Sequence, residues 1–246
     1  DGFLRDEFKN LFHSLFQHAN DHVNIIKALA KKGKGLTRNE IIKECKLKTG
    51  GGTTQLLDEL RESGFIDHYI PFGKTSKDTL YKLVDEYSMF YLKFMLTEKI
   101  QGSGSWIMFS NGSSWNSWAG IAFENICSKH IQPIKNALGI SAVQTEQYAW
   151  RTPNSKSHTE TGAQIDLIID RMDHCINVCE IKFSRAEFEI TSKYAQELQN
   201  KLVQFQSHSK TRKTLFLTFI TTLGIKNISQ YQSLVPCNLS LDALFE

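Results

Sequence analysis

The order of helix-like and strand-like segments predicts two α+β modules in tandem: three helices and a hairpin, then a mixed β-sheet with helices on its faces. Three observations carry this expectation. Apolar residues recur at three- and four-residue steps from Phe8 to Leu60. Apolar runs of strand length, bounded by turn residues, follow at 65–84 and at 164–183. Two polar, breaker-rich segments, Gly102-Ser103-Gly104-Ser105 and Asn111-Gly112-Ser113-Ser114, separate the patterns. The reading is residues 1–100 as one module, 101–117 as a linker, and 118–246 as a second domain.

Phe8, Leu11, Phe12, Leu15 and Phe16 mark an amphipathic helix from Phe3 to about His18. So abrupt an apolar start leads to the expectation of a preceding domain. Val23, Ile25, Ile26, Leu29 and Ala30 define the next helix, which stops at Lys31-Lys32-Gly33. Thr37-Arg38-Asn39-Glu40 then has the capping-box arrangement, Thr37 accepting a backbone N–H while Glu40 reaches back. A third helix runs from Thr53 or Thr54 through Leu56, Leu57 and Leu60 to Gly64, a left-handed stop. Strands at 65–70 and 79–84 flank the polar turn 73–78. Three helices and a hairpin is the order of a winged helix. A further helix, Asp85 to about Leu96, carries Tyr87, Phe90, Tyr91 and Phe94.

The second domain opens with one long helix from about Trp118 to Leu138, ended by Gly139. A strand is expected over 141–150, a polar loop over 151–162, and a hairpin with strands 164–170 and 176–183 around a turn at Arg171–His174. A helix with Tyr194, Leu198, Leu202 and Phe205 on one stripe follows, then a buried-type strand at 214–222. The order α-β-β-β-α-β implies a mixed sheet.

Composition narrows the function. The chain has 246 residues, 41% hydrophobic and 22% charged, and reads as a globular cytoplasmic protein. No apolar run is long enough to span a bilayer, so no membrane partner is expected. Its 5 cysteines, scattered and odd in number, suit reduced thiols. Cys175 and Cys179 form the only close pair, without a second pair to complete a zinc site. A net charge of +3 leaves nucleic-acid binding to local patches: Lys74 and Lys77 in the hairpin turn, and Lys210, Arg212 and Lys213 before the last strand. Gly50-Gly51-Gly52-Thr53-Thr54 lacks the lysine of a phosphate-binding loop, so this chain alone should not bind ATP.

Strand alternation points to chemistry. Glu180 and Lys182 share a face with Val178, opposite Cys179, Ile181 and Phe183. Asp166 shares a face with Ile168 in the neighbouring, strongly apolar strand. Buried charges are rare unless paired with each other or with a metal. Two carboxylates beside a lysine suit a hard divalent cation and a positioned water. Glu124 lies on or beside the apolar stripe Ile121, Cys127, Ile131, Ile134, Leu138. The competing reading of Asp166, Glu180 and Lys182 is an inert buried ion-pair network, and that of Glu124 an ordinary helix-edge glutamate. His158 and His174 read as solvated. The third helix of the first module carries Asp58, Glu59 and Glu62 against Arg61, which argues for protein contact over reading a DNA groove.

On Glu124, Asp166 and Glu180-Ile181-Lys182 the chain resembles the PD-(D/E)XK nuclease superfamily, with Gln164-Ile165 where the motif's proline would stand. With Gly64-Phe65-Ile66, Asp85-Glu86-Tyr87, the stretch Trp118–Glu124, Gln164–Leu167 and Cys179–Lys182, nearly the whole chain resembles the C-terminal region of a group of prokaryotic AAA+ ATPases: a winged helix and a nuclease-like domain behind an ATPase domain. The resemblance implies Mg²⁺ or Mn²⁺ held by Asp166 and Glu180, with Glu124 as a ligand or as the group that orients one. Lys182 would stabilise the attacking hydroxide. It implies nucleic acid as substrate and an upstream ATPase domain, the only route by which ATP would enter. The alternative is a regulatory or scaffolding module that does not cut.

Overall fold

The computed structural model describes residues 4–17, 19–33, 35–96, 105–152 and 162–245. The expectations for Phe3, His158 and the Gly102–Gly104 part of the linker fall outside these residues. The chain forms two compact units, one of residues 1–70 and 75–122, the other of 71–74 and 123–246. The division falls inside a helix and assigns Pro71–Lys74 to the second unit, where the sequence pattern drew boundaries near 100 and 118. Phe72 accounts for that assignment: its N–H donates to Ala149 O at 2.8 Å and its ring packs edge-on against Phe205.

The first unit contains α1 (Leu4–Leu15), α2 (Ala19–Lys31), β1 (Leu36–Thr37), α3 (Arg38–Cys45), α4 (Gly51–Glu62), β2 (Ile66–Tyr69), β3 (Leu80–Leu83), α5 (Glu86–Phe90), α6 (Ser105–Ser110) and the start of α7 (Ser113–Lys129). Phe12, Ile25, Ile26, Ile41, Leu57, Leu60 and Ile66 fill its core. Each follows the helical spacing or strand alternation seen in the sequence. The capping box forms: Glu40 N–H donates to Thr37 Oγ1 at 3.3 Å and Thr37 N–H to Glu40 Oε2 at 2.7 Å. The expected hairpin gains a short third strand, giving an antiparallel sheet in the order β1-β3-β2. Gly35, just before β1, has φ +83° and a Cβ there would sit 2.8 Å from Tyr81 O, so only glycine lets β1 approach β3. The helix expected over 85–96 is capped by Asp85 and widens after α5 into a π-helical turn at Tyr91–Met95. α6 and the first turn of α7 occupy 105–117, where the sequence suggested only a connection.

The second unit continues with the rest of α7, α8 (Ile131–Ala137), β4 (Thr145–Arg151), β5 (Gln164–Arg171), β6 (Cys175–Lys182), α9 (Ser192–Ser209), β7 (Thr214–Thr221), α10 (Ile228–Tyr231) and β8 (Cys237–Ser240). The sheet order is β4-β5-β6-β7-β8. β4, β5 and β6 are antiparallel neighbours, whereas β6-β7 and β7-β8 run parallel, so the sheet is mixed as expected. The single helix expected over 118–138 is in fact two. Pro133 has no N–H to donate and its ring would clash with the carbonyl of Lys129, which ends α7 and restarts the chain at α8. β8 was not foreseen; four edge residues after Pro236 carry too little pattern.

Each face of the sheet has its own core. Ile168, Val178, Leu217 and Phe219 pack with Ala195, Leu198 and Phe205 of α9. Leu167, Ile169, Cys179 and Ile181 pack with Phe123, Cys127 and Ile134 of α7 and α8.

Candidate active site

β6 carries Glu180 and Lys182 on the α9 side of the sheet, since they alternate with Cys179 and Ile181, which belong to the other core. Registered β5-β6 pairs run from Asp170↔Ile176 to Leu167↔Cys179, with Ile168 across from Val178. Past Ile168 the alternation breaks. Tyr148 pairs with Ile168 but Trp150 with Ile165, so β5 holds one extra residue, a bulge at Asp166 and Leu167, and Ile165 returns to the core of Ile168 on the α9 side. The expectation that Asp166 shares a face with Ile168, opposite Ile165, is corrected accordingly: alternation does not fix the face of Asp166.

Glu180 is 6% exposed and heavily bonded. Its Oε2 accepts from Lys201 Nζ at 2.6 Å, and its Oε1 accepts from Tyr194 Oη at 2.7 Å and lies 2.9 Å from Lys182 Nζ. Burial pushes the carboxyl pKa up. The Lys201 and Lys182 ammonium groups, with the hydrogen bonds from Lys201 and Tyr194, outweigh that and hold it below the usual glutamate value. Burial, then the Glu180 charge and hydrogen bond, raise the Tyr194 phenol, so Tyr194 stays a neutral donor. Lys182 Nζ also lies 5.7 Å over the Tyr194 ring.

Asp166 is half-buried and accepts a hydrogen bond from Gln164 Nε2, two residues back on β5. Gln164 Oε1 is buried with no partner among the described residues. An acceptor so placed is satisfied by a water or a cation.

Glu124 stands in the other layer. It lies on α7 between Phe123 and Cys127, which pack under the face opposite Glu180. Burial, and then the Glu124 carboxylate, push the Cys127 thiol up to about 12. Among the described residues no three His, Cys, Asp or Glu side chains come together in a group that could hold a metal. The structure thus brings Glu180 and Lys182 together, sets Asp166 at the bulge of the neighbouring strand, and does not gather Glu124 with them in such a group.

Sequence reasoning missed Lys201 and took Tyr194 only as packing. The two stand seven residues apart, about two helical turns, and so share a side of α9. Of the basic patch, Lys213 is committed: its Nζ lies 2.5 Å from Asp170 Oδ1 and 2.8 Å from Arg171 O. Lys210, Arg212, Lys74 and Lys77 are exposed.

Compared with known proteins, the chain matches no family model and no curated sequence. No helix among the described residues is long and apolar enough to cross a membrane.

Proposed function

We propose that this chain is the C-terminal region of an AAA+-type ATPase, a winged helix followed by a PD-(D/E)XK nuclease-like domain, and that the second domain cleaves nucleic-acid phosphodiesters. The carrying observation is the buried Glu180 carboxylate with Lys182 2.9 Å away, on the strand that pairs with the one carrying Asp166. The helix-strand order of the first unit and the mixed sheet of the second support the two fold readings.

The donor set fits Mg²⁺ or Mn²⁺, with one condition. Asp166 and Glu180 offer hard carboxylate oxygens, and the unpartnered Gln164 Oε1 is a third oxygen beside Asp166. Glu180, however, already accepts from two ammonium groups and a phenol, so a cation must displace at least one of them. A bound cation supplies charge to polarise water and neutralise phosphate. Lys182 contributes a fixed positive charge toward the developing phosphorane. Glu124 has the weakest claim as a ligand, because its helix covers the opposite face.

The same crowding of donors favours a second reading, a regulatory module of the ATPase that binds nucleic acid or protein without cutting. Titration calorimetry with Mn²⁺, followed by cleavage assays on mixed DNA and RNA, separates the two. On the nuclease reading Mn²⁺ binds and raises Tm by mass action. Asp166→Ala or Glu180→Ala abolishes both effects, and Lys182→Ala retains binding but loses cleavage. A folded chain that gives neither heat nor a Tm shift supports the non-cutting module.

A further inference from the structure

The two oxygens of Glu180 are unequally occupied. Oε1 accepts from Tyr194 Oη at 2.7 Å and lies 2.9 Å from Lys182 Nζ, whereas among the described residues Oε2 meets only Lys201 Nζ, at 2.6 Å. A carboxylate oxygen has two lone-pair sites, so Oε1 is filled and Oε2 keeps one place open. Oε2 is therefore the oxygen that Glu180 can offer to a divalent cation, and Lys201 is the ammonium beside it. Like charges so close repel strongly at a poorly hydrated site.

The partners of Oε1 are held in place. Lys182 stands two residues along the same strand, and the Tyr194 ring packs edge-on against Phe188 and Phe219. Lys201 is held by Glu180 alone: its Nζ makes no other hydrogen bond or ion pair among the described residues. Its side chain is 20% exposed, so the ammonium has a way out to solvent on a flexible four-carbon stem. Of the three donors, Lys201 is the one that can leave at least cost.

We infer that Lys201 is a relay between metal and nucleic acid: it neutralises Glu180 in the metal-free chain and, once Oε2 serves a divalent cation, pairs with a phosphate oxygen of the nucleic acid. The inference rests on the nuclease reading and adds regulation to it. While Lys201 is committed to the carboxylate, its charge does not serve phosphate binding. Freed, it supplies a charge-assisted hydrogen bond to the backbone. Metal and nucleic acid then strengthen each other's binding, by the same factor in both directions. Glu197, an exposed acid one turn earlier on α9, is the competing destination for the ammonium within the chain.

The first test uses the unaltered whole chain, a lysine-acylating reagent and mass spectrometry. Lys201 should be protected in the metal-free chain, with or without a mixed-sequence DNA or RNA oligonucleotide. Mn²⁺ should open it to acylation, and the oligonucleotide added to the Mn²⁺-loaded chain should protect it again. Fluorescence anisotropy gives the second measurement: Mn²⁺ should strengthen oligonucleotide binding about tenfold, a usual size for coupled ligands. Lys201→Met should lose most of that factor, and Lys201→Arg, which retains the charge, should keep it. Ca²⁺ replaces Mn²⁺ if electrophoresis shows the oligonucleotide being cut. Mn²⁺ binding that leaves Lys201 protected, an oligonucleotide that fails to protect it again, or equal coupling in Lys201→Met and the native chain overturns the proposal and leaves the nuclease reading standing. A folded chain that gives neither heat nor a Tm shift with Mn²⁺ defeats the reading itself, and the proposal with it.

Discussion

Lys201 Nζ lies 2.6 Å from Glu180 Oε2, although α9 and β6 place the two residues 21 positions apart in sequence. With Lys182 2.9 Å from the other oxygen, one buried carboxylate is matched to two ammonium groups. The cluster is electrically over-compensated at Glu180, while Asp166 stands on the neighbouring strand β5. Any cation that enters must compete with Lys201.

That competition gives the first prediction. Lys201→Met removes a positive charge and frees Glu180 Oε2, so Mn²⁺ should bind about 3- to 10-fold more tightly, a gain of roughly 0.7–1.4 kcal/mol. Without metal, the same variant should lose about 1–3 kcal/mol of stability, because a buried charge loses one of three partners. Calorimetry and urea unfolding measure the two effects. Tighter metal binding with lower metal-free stability is the expected signature. Unaltered or weaker Mn²⁺ binding would remove Lys201 from the site.

The second prediction concerns pH. The folded pKa of Glu180 lies below its ordinary value, because its cationic partners outweigh burial. A carboxylate of this kind stabilises the fold above its unfolded pKa, about 4.3, and loses that contribution as pH falls through the folded pKa. Glu180→Gln should therefore be less stable than the native chain at pH 7, by about 1–3 kcal/mol. The gap should begin to narrow as pH falls below the unfolded pKa of about 4.3 and close once pH has passed the lowered folded pKa, where the native carboxyl is also neutral. Paired unfolding curves from pH 7 to pH 3 measure it. A gap of constant size would show that the charge of Glu180 contributes nothing.

Alternation alone put Glu180 and Lys182 on one face, because a period of two leaves no freedom once a regular strand is recognised; Asp166 escapes that rule because a bulge interrupts β5 between Ile165 and Ile168. The helix boundaries were legible where a cap enforces them, as at Thr37. The break at His130 was legible in principle: Pro133 has no N–H to donate to the Lys129 carbonyl, yet the apolar spacing on either side ran through it. Lys201 and Tyr194 could not be assigned to Glu180 from sequence. Which side of α9 faces β6 depends on the crossover between them, and no local pattern encodes that contact. Glu124 shows the converse. Its place on or beside the apolar stripe specifies a layer, not which acids in the next layer it meets.

The third prediction follows from the thiols. Cys127 and Cys179 are buried, and burial is the main cause that raises both; the Cys127 pKa reaches about 12. At pH 8 a thiol with that pKa is a thiolate only about 10⁻⁴ of the time. Iodoacetamide should therefore label the half-buried Cys175 and Cys237 first. Cys45, half-buried and raised mainly by burial, should follow more slowly. Cys127 and Cys179 should react only after unfolding. Mass spectrometry of the alkylated chain reads the order, and early labelling of Cys179 would contradict the packing of β6 against α7.

The last prediction concerns the acidic helix α4. Glu59 is bound from two sides: its Oε2 lies 2.8 Å from Nε2 of the fully buried His22, and its Oε1 accepts from Gln55 at 2.9 Å. Asp58 pairs with Arg61 at 3.2 Å, an exposed contact of small energy. The acids of α4 thus divide into a structural one, Glu59, and two near the surface, Asp58 and Glu62. Phosphate contacts supply most non-specific affinity for DNA, and a helix with this charge repels them. The chain should therefore bind duplex DNA weakly, with equal affinity for unrelated sequences. Asp58→Lys with Glu62→Lys should strengthen binding and steepen its dependence on salt if α4 meets the backbone, and should change nothing if it faces a protein partner. Glu59→Gln should leave DNA affinity unchanged and cost about 1–3 kcal/mol of stability, because His22 would lose its charged partner. Anisotropy titrations at several salt concentrations distinguish these cases. A tight, sequence-selective complex of the unaltered chain at physiological salt would defeat the charge argument, since no acidic recognition helix could produce it.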